Sequence, residues 1–336
     1  MPATTLRTAW MAESPGSSIP PLLDFVRAYR VIRSQLTPTP VIQVRVPSTA
    51  GQNIFTKLDN LNVTGSFKVR GALYRLSLLG EAHRKRGVVT CSTGNHGLAV
   101  AYAAREYGSR ATIVLPRGVS GRKVDLLGTS GADLRVVPGS LTVAEGEARR
   151  IAVEEGLELI EDGNDRALLV GAGSVALEMI WALPELEVLL IPVGGGNLIA
   201  GIAACAKQLN PAIEVIGVQS SAAPAVHESW RRRTPVTVPA TTAAGGLGGE
   251  RPGDLAFGLI LQLVDDIVLV SDEELFAALG LAATHLGQLL EPSGAAWLAA
   301  LARFPERWGG CTVLGLSTGG NADTAEISRG LSQRDN

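Results

Sequence analysis

The chain has 336 residues, of which 46% are hydrophobic and 18% charged, and its formal net charge is -2. This length favours two domains over one small core, and the weak charge gives no field that would attract nucleic acid or an anionic membrane surface. Its three cysteines are far apart and match no metal-binding spacing. No apolar stretch is long enough to cross a bilayer. We therefore expect a cytoplasmic protein with two domains.

The segment Thr64–Gly71 places one lysine, Lys68, among small residues and beside Phe67. A lysine shielded from water in this way favours its uncharged amine. A free amine forms an imine with an aldehyde, and pyridoxal 5'-phosphate (PLP) is the commonest aldehyde that enzymes recruit. Lys68 is therefore a candidate for cofactor attachment, with an ordinary solvated lysine as the alternative.

Short apolar runs alternate with longer amphipathic segments along the chain. The short runs predict strands at 88–91, 111–115, 134–137, 188–193, 215–218 and 312–316. The longer segments predict helices at 98–107, 144–155 and 198–209. This alternation is typical of parallel sheets with crossover helices. Because ligands bind at the carboxyl ends of such strands, we expect the glycine-containing turns that follow them to meet in one crevice.

The first such turn, Ser92–Gly97, combines hydroxyls and backbone N–H groups that suit a carboxylate. The amide of Asn95 suits a phenolic oxygen on a cofactor ring. Two structural alternatives stay open here: Asn95 as a helix N-cap, and His96 as a helix-start residue bonded to the backbone.

The second turn, 192–198, has the sequence PVGGGNL and joins a predicted strand to a helix. Its N–H groups at the positive end of a helix predict a phosphate site, with a purely structural turn as the alternative. The run 171–176, GAGSVA, matches a dinucleotide-binding pattern, but no strong strand precedes it. We therefore do not expect a nucleotide there.

The last turn, 316–321, supplies the neutral hydroxyls of Ser317 and Thr318. A neutral group opposite a pyridine nitrogen leaves that nitrogen unprotonated, whereas a carboxylate would protonate it and make the ring a stronger electron sink. This turn therefore favours elimination at the β-carbon over transamination.

These four segments, in this order, resemble the fold-type II PLP-dependent enzymes, and more narrowly the group of serine/threonine dehydratases (threonine deaminases) and serine racemases. The similarity extends from about Thr39 to Asp323. It implies an α/β fold with two domains and parallel sheets, like that of the tryptophan synthase β subunit. The implied parts are a large PLP-binding domain (18–79 and 164–330), a small substrate-side domain (80–163), and flexible ends (1–17 and 331–336).

The resemblance also implies roles for the site residues. Lys68 would carry the imine link and then act as general base toward the α-proton. Phe67 would pack beside the cofactor ring, and Asn95 would bond its 3'-oxygen. Thr318 would face the pyridine nitrogen, with Ser317 as the fallback. The phosphate would be held by Gly194, Gly195, Gly196, Asn197 and Leu198. The substrate carboxylate would be bound by Ser92, Thr93, Gly94 and His96.

The implied reaction is β-elimination, which converts a β-hydroxy-L-amino acid such as threonine or serine to a 2-oxo acid and ammonia. The chain would then be a lyase of amino acid metabolism. Racemisation and β-replacement on the same scaffold stay open. The expected partners are the amino acid substrate and a second copy in a homodimer, without nucleic acid or membrane.

Three positions depart from the resembled pattern. Asn197 replaces a fourth glycine in the phosphate turn. The stretch Thr241–Leu247 lacks the acidic residues that help to bind a divalent cation in racemase-like members, so no such metal is expected, while a monovalent ion on backbone carbonyls stays open. Thr93 stands where the racemases have a serine that acts as a second base, which favours the lyase.

Overall fold

The structure is a computed structural model that describes residues 18–46, 53–119 and 121–333. Strands and helices alternate along most of these ranges. The strands are β1 (Val41–Gln43), β2 (Asn53–Lys57), β3 (Val88–Cys91), β4 (Ala111–Pro116), β5 (Asp133–Val137), β6 (Glu158–Leu159), β7 (Val188–Pro192), β8 (Glu214–Ser220), β9 (Asp266–Val270) and β10 (Thr312–Leu316).

The helices connect these strands and cover the sheets. They are α1 (Leu22–Arg33), α2 (Lys68–Ser77), α3 (Glu81–Arg86), α4 (Asn95–Glu106), α5 (Arg122–Gly128), α6 (Leu141–Glu154), α7 (Arg166–Gly173), α8 (Val175–Ala182), α9 (Asn197–Leu209), α10 (Ala225–Arg232), α11 (Asp254–Leu263), α12 (Asp272–Leu281), α13 (Ala296–Arg303) and α14 (Thr324–Ser332). The predicted helices coincide with α4, α6 and α9 to within a few residues.

Two sheets organise the described residues. A six-stranded sheet has the order β1-β2-β10-β7-β8-β9, and a four-stranded sheet has the order β5-β4-β3-β6. Adjacent strands are parallel, except that β1 runs antiparallel to β2. All six strands predicted from the short apolar runs are present. The predicted α/β fold with parallel sheets is therefore confirmed.

The large sheet has apolar side chains on both faces because helices cover both of them. In β7, Leu189 and Ile191 belong to one buried cluster, whereas Val188 and Leu190 belong to another. Side chains alternate between the faces of a strand, so a fully apolar run such as β7 is what a central strand needs.

The run that matches a dinucleotide pattern lies at the junction of α7 and α8, so a helix and not a strand leads directly into it. Its glycines allow close helix packing. A Cβ on Gly171 would lie 2.8 Å from the Cα of Gly71 in α2, and one on Gly173 would lie 2.4 Å from the carbonyl oxygen of Gly201 in α9. Helix contact therefore accounts for this motif, as expected from the missing strand.

The strand order brings the candidate segments together. The carboxyl ends of β2, β10 and β7 are neighbours in the large sheet, and those of β3 and β6 are neighbours in the small one. The small sheet takes its strands from residues 88–159 alone, although the domain boundaries themselves stay a prediction. Residues 1–17 of the predicted flexible ends lie outside the described residues, while α14 continues to Ser332. Within the described ranges, no helix is both long and apolar enough to cross a membrane.

Candidate active site

The loop before α2 is joined to the loop after β10. The backbone N–H of Phe67 donates to the carbonyl of Thr318 at 2.9 Å, and Ser66 forms an antiparallel bridge with Gly319. Lys68 follows as the first residue of α2. This pairing fixes Lys68 at the carboxyl end of the large sheet, next to the hydroxyl-bearing turn.

The side chain of Lys68 makes an ion pair with Asp162. Its Nζ lies 2.7 Å from Oδ1 and 2.5 Å from Oδ2 of Asp162, and 5.4 Å from the centroid of the Phe67 ring. The two charged side chains are 25% and 39% exposed. The expectation that the Lys68 side chain is shielded from water is therefore not met, because a quarter of it is exposed and its nitrogen contacts a carboxylate.

Asn95 is the first residue of α4 and is held by two side chains. Its Nδ2 donates to Oε1 of Glu291 at 2.6 Å, and its Oδ1 accepts from Nδ2 of Asn321 at 2.8 Å. Glu291 also pairs with Lys123, whose Nζ lies 2.9 Å from Oε2. The N-cap is Gly94, without a side-chain bond, so the alternative of Asn95 as an N-cap is wrong. These contacts set the orientation of the Asn95 amide, and its second N–H has no partner among the described residues.

In the turn after β3, Ser92–Gly97, some of the polar groups are hydrogen-bonded within the protein. The hydroxyl oxygen of Ser92 accepts the N–H of Gly94 at 3.2 Å and of Gly97 at 2.9 Å. The buried His96 ring places Nε2 3.3 Å from the carbonyl of Ile160, as in the alternative of a helix-start histidine bonded to the backbone. Burial lowers the pKa of His96. A ligand carboxylate would therefore meet the remaining N–H groups at the start of α4 and the Thr93 hydroxyl.

Ser317 and Thr318 have different surroundings. Trp297 Nε1 donates to Oγ of Ser317 at 3.1 Å, and the hydroxyls of Ser317 and Thr56 are 2.9 Å apart. Thr318 has one long contact, from its Oγ1 to the carbonyl of Ser293 at 3.4 Å. The hydroxyl of Ser317 is thus committed to the core, which leaves Thr318 as the better candidate for a cofactor contact.

The turn after β7 presents backbone donors. Val193 donates its N–H to Val218 and ends the strand ladder. In the described part of the chain, the next four N–H groups find no protein acceptor; they belong to Gly194, Gly195, Gly196 and Asn197. They stand at the start of α9, where the helix dipole favours an anion. A Cβ on Gly194 would lie 2.5 Å from the carbonyl oxygen of Gly246, so this turn is closely packed.

Sequence reasoning missed a buried charge cluster under α2. Arg70 is 1% exposed; its Nε lies 2.7 Å from Oδ2 of Asp59 and its Nη1 lies 2.8 Å from Oε1 of Glu178. Lys57 Nζ contacts Oε2 of Glu178 at 2.5 Å. Desolvation acts to raise the pKa of Asp59 and Glu178, but the Arg70 guanidinium outweighs it and holds both pKa values below their usual range. The only local sign of this cluster in the sequence was Arg70 itself, a charged residue two positions after Lys68.

The stretch Thr241–Leu247, which lacks the acidic residues of the racemase-like pattern, is hydrogen-bonded to the carboxylate of Asp272. Asp272 accepts from the Thr242 hydroxyl at 2.6 Å and from the N–H of Ala243 at 2.7 Å. Across the ranges that the structure describes, no group of three or more His, Cys, Asp or Glu residues could hold a metal ion.

The groups of this crevice fit PLP. They offer an amine, unpaired N–H groups for a phosphate, and an amide and a hydroxyl for the ring. The model of the family described as "pyridoxal-phosphate dependent enzyme" matches residues 32–319. The chain belongs to this family.

Relatives in the PLP-dependent family include both lyases and racemases. The chain is 36% identical over 310 residues to "L-threonine ammonia-lyase" of Thermotoga maritima, covering 92% of this chain and 77% of the relative. It is 32% identical over 320 residues to "serine racemase" of Oryza sativa subsp. indica, covering 92% and 94%. The solved structure of maize serine racemase superposes with a TM-score of 0.88 at 30% identity, covering 94% of this chain and 98% of that one. The fold-type II assignment and the PLP cofactor predicted from the sequence are confirmed.

Proposed function

We propose that this PLP-dependent enzyme is a lyase that converts a β-hydroxy-L-amino acid of the threonine or serine type to a 2-oxo acid and ammonia. Its similarity to proteins named threonine ammonia-lyase supports this reaction. The observation that carries the proposal is the backbone pairing of Phe67 with Thr318. This contact between the loop that carries Lys68 and the hydroxyl-bearing turn supports a neutral partner for the pyridine nitrogen, which favours elimination over transamination.

The chain's own residues suggest how the cofactor would be held. Lys68 would supply the covalent link, and the free N–H groups of the turn after β7 would bind the phosphate. The unpartnered N–H of Asn95 would serve the 3'-oxygen, and Thr318 would serve the pyridine nitrogen. When bound, the cofactor takes up the substrate's amino group and withdraws electrons from its α-carbon.

The remaining steps fall to protein groups. Lys68, once released from its covalent link, would take the α-proton as general base. The start of α4 and Thr93 would bind the substrate carboxylate. Because these groups come from both sheets, the crevice between the sheets would exclude water when it closes on a substrate.

Racemisation is a second candidate, favoured by the relatives named serine racemase. The hydroxyl of Thr93 is the group on which it would depend. The added methyl group of threonine, compared with serine, would hinder that hydroxyl as a base, which is why elimination is the main proposal.

We also propose the large and small domains with the boundaries given above, a homodimer, and a cytoplasmic location. The separate four-stranded sheet supports the domain division. The free thiols of Cys91, Cys205 and Cys311 suit a reducing compartment.

Product analysis of the PLP-loaded enzyme tests the main proposal. L-Threonine and L-serine should each give a 2-oxo acid and ammonia in equal amounts. Lys68→Ala should lower the rate by about 1,000-fold or more, because it removes both the covalent link and the base. The control Lys85→Ala changes an exposed lysine that pairs with Glu81 on the surface and should keep full activity. D-Serine as the main product, or a fully active Lys68→Ala variant, would overturn the proposal.

A further inference from the structure

Asp162 lies close to two residues of the proposed site, Lys68 and His96. It follows β6, which pairs with β3, and the turn Ser92–Gly97 follows β3. Asp162 is therefore beside the proposed carboxylate site as well as in contact with Lys68. Its ion pair with Lys68 connects the two sheets.

The chain holds Asp162 from both sides. Before it, the N–H of Ile160 donates to Val89 at 2.9 Å, and the carbonyl of Ile160 contacts His96. After it, the carboxylate of Asp165 caps α7 by accepting from Ala167 at 2.8 Å and from the next residue at 3.1 Å. Because the backbone is held at Ile160 and again at Asp165, the segment between them has little freedom, and the Asp162 carboxylate stays at the crevice.

The Asp162 side chain carries a negative charge. Desolvation acts to raise the pKa of Asp162, but the Lys68 ammonium outweighs it and lowers that pKa to about 2. His96 is the other titratable group that acts on it, and burial lowers the pKa of that ring. Asp162 thus stays charged at physiological pH.

Covalent geometry brings a substrate's side chain close to this charge. In the proposed reaction, the substrate's amino nitrogen would take the place of Lys68 Nζ at the cofactor. With single bonds of about 1.5 Å, a group on the β-carbon lies within roughly 4 Å of that nitrogen. A negative charge on the substrate's side chain would therefore lie close to the Asp162 carboxylate, in a crevice that is partly shielded from water. Like charges repel strongly in such surroundings.

We infer that Asp162 is a specificity-determining residue that restricts the substrate to β-hydroxy amino acids without a negative charge on the side chain. The inference rests on the proposed function, from which it takes the place of the substrate. Removing the carboxylate would remove this repulsion, so an anionic side chain should gain affinity.

The test compares two ligands of the same shape, L-aspartate and L-asparagine, that differ in side-chain charge. Their dissociation constants for the PLP-loaded enzyme are measured by calorimetry, which requires no turnover. Asp162→Asn should lower the ratio of the aspartate constant to the asparagine constant about tenfold or more. The control Glu161→Gln removes the charge of a partly exposed neighbouring residue that pairs with Arg149 and should leave the ratio unchanged.

An equal ratio in the wild type and in Asp162→Asn would overturn the inference. Asp162→Ser, which also removes the charge, serves as a second variant and should give the same shift. Failure of the proposed function is visible separately, as the absence of 2-oxo acid from threonine and serine in the wild type. The two tests are therefore independent. The ratio of dissociation constants can contradict the role of Asp162 while product analysis supports the lyase, and product analysis can contradict the lyase while the ratio supports the role of Asp162.

Discussion

Asn321 donates a hydrogen bond of 2.8 Å to the side-chain oxygen of Asn95, and a second one of 2.9 Å to the carbonyl of Thr64. One amide thus ties together the turn after β10, the start of α4 and the loop before Lys68. It also decides which end of the Asn95 amide is a donor toward the crevice.

Asn321→Ala should weaken PLP binding by about three- to tenfold, since a typical hydrogen bond contributes about 1 kcal/mol. The loss arises because the Asn95 amide then keeps its bond to Glu291 but loses the one to Asn321, so it is less firmly oriented. Titration of the cofactor-free protein, followed by absorbance, gives the affinity. The control Asn210→Ala removes a surface bond to the N–H of Ala212 and should have no effect. An unchanged affinity in Asn321→Ala would show that Asn95 needs no orientation by Asn321.

The fold was predictable where local pattern determines structure. The buried strands read as short apolar runs because helices cover both faces of their sheet. The half-buried edge strand β6 has two residues, too few to leave a pattern, and it was missed. The stretch Asp266–Val270 of β9 was also missed, although its apolar residues fit a strand.

The site was predictable where one segment carries the chemistry, as in the glycine-rich turn after β7. It was not predictable where two distant charges meet. Lys68 and Asp162 are 94 positions apart, and Arg70 and Glu178 are 108 apart. Periodicity says nothing about such pairs, because topology alone brings them together.

Ser317 and Thr318 should respond differently to substitution by alanine. Ser317→Ala should lower the free energy of unfolding by about 1–3 kcal/mol, because the buried Trp297 N–H loses its acceptor, and should leave the cofactor's absorbance unchanged. Thr318→Ala should keep the stability but shift that absorbance and lower turnover about tenfold, as for a lost hydrogen bond of about 1.4 kcal/mol. Urea unfolding and absorbance spectra measure the two effects. The opposite pattern would assign the pyridine contact to Ser317.

Arg70→Met should lower the free energy of unfolding at pH 7 by about 3–5 kcal/mol, because Asp59 and Glu178 lose their buried counter-charge. The folded-state pKa of both carboxyls is lowered, so the ion cluster stabilises the protein above their unfolded pKa values of about 4. This contribution is lost as pH falls through the folded values. The difference between wild type and variant should therefore stay nearly constant from pH 7 down to about pH 4 and shrink as pH falls below about 4.

Urea unfolding at several pH values measures this difference. Arg150→Met, in which an exposed arginine loses its pairs with Glu147 and Glu154, is the control and should behave like the wild type. A difference for Arg70→Met that stays constant even below about pH 4 would mean that packing, and not charge, accounts for it.

Gly194→Ala should weaken the binding of the cofactor's phosphate and leave the binding of its ring unchanged. The new Cβ would lie 2.5 Å from the carbonyl oxygen of Gly246, a backbone atom that cannot turn away, so the turn must shift and its N–H groups lose alignment. We expect PLP affinity to fall about 10- to 100-fold, the loss of one or two charge-assisted hydrogen bonds, while the affinity for pyridoxal, which lacks the phosphate, stays the same. Gly245→Ala is a matched control, because a Cβ there meets nothing within 4 Å. An equal loss of affinity for PLP and for pyridoxal would show that this turn does not bind the phosphate. A change confined to phosphate binding should leave the affinity for pyridoxal unchanged, because pyridoxal has no phosphate.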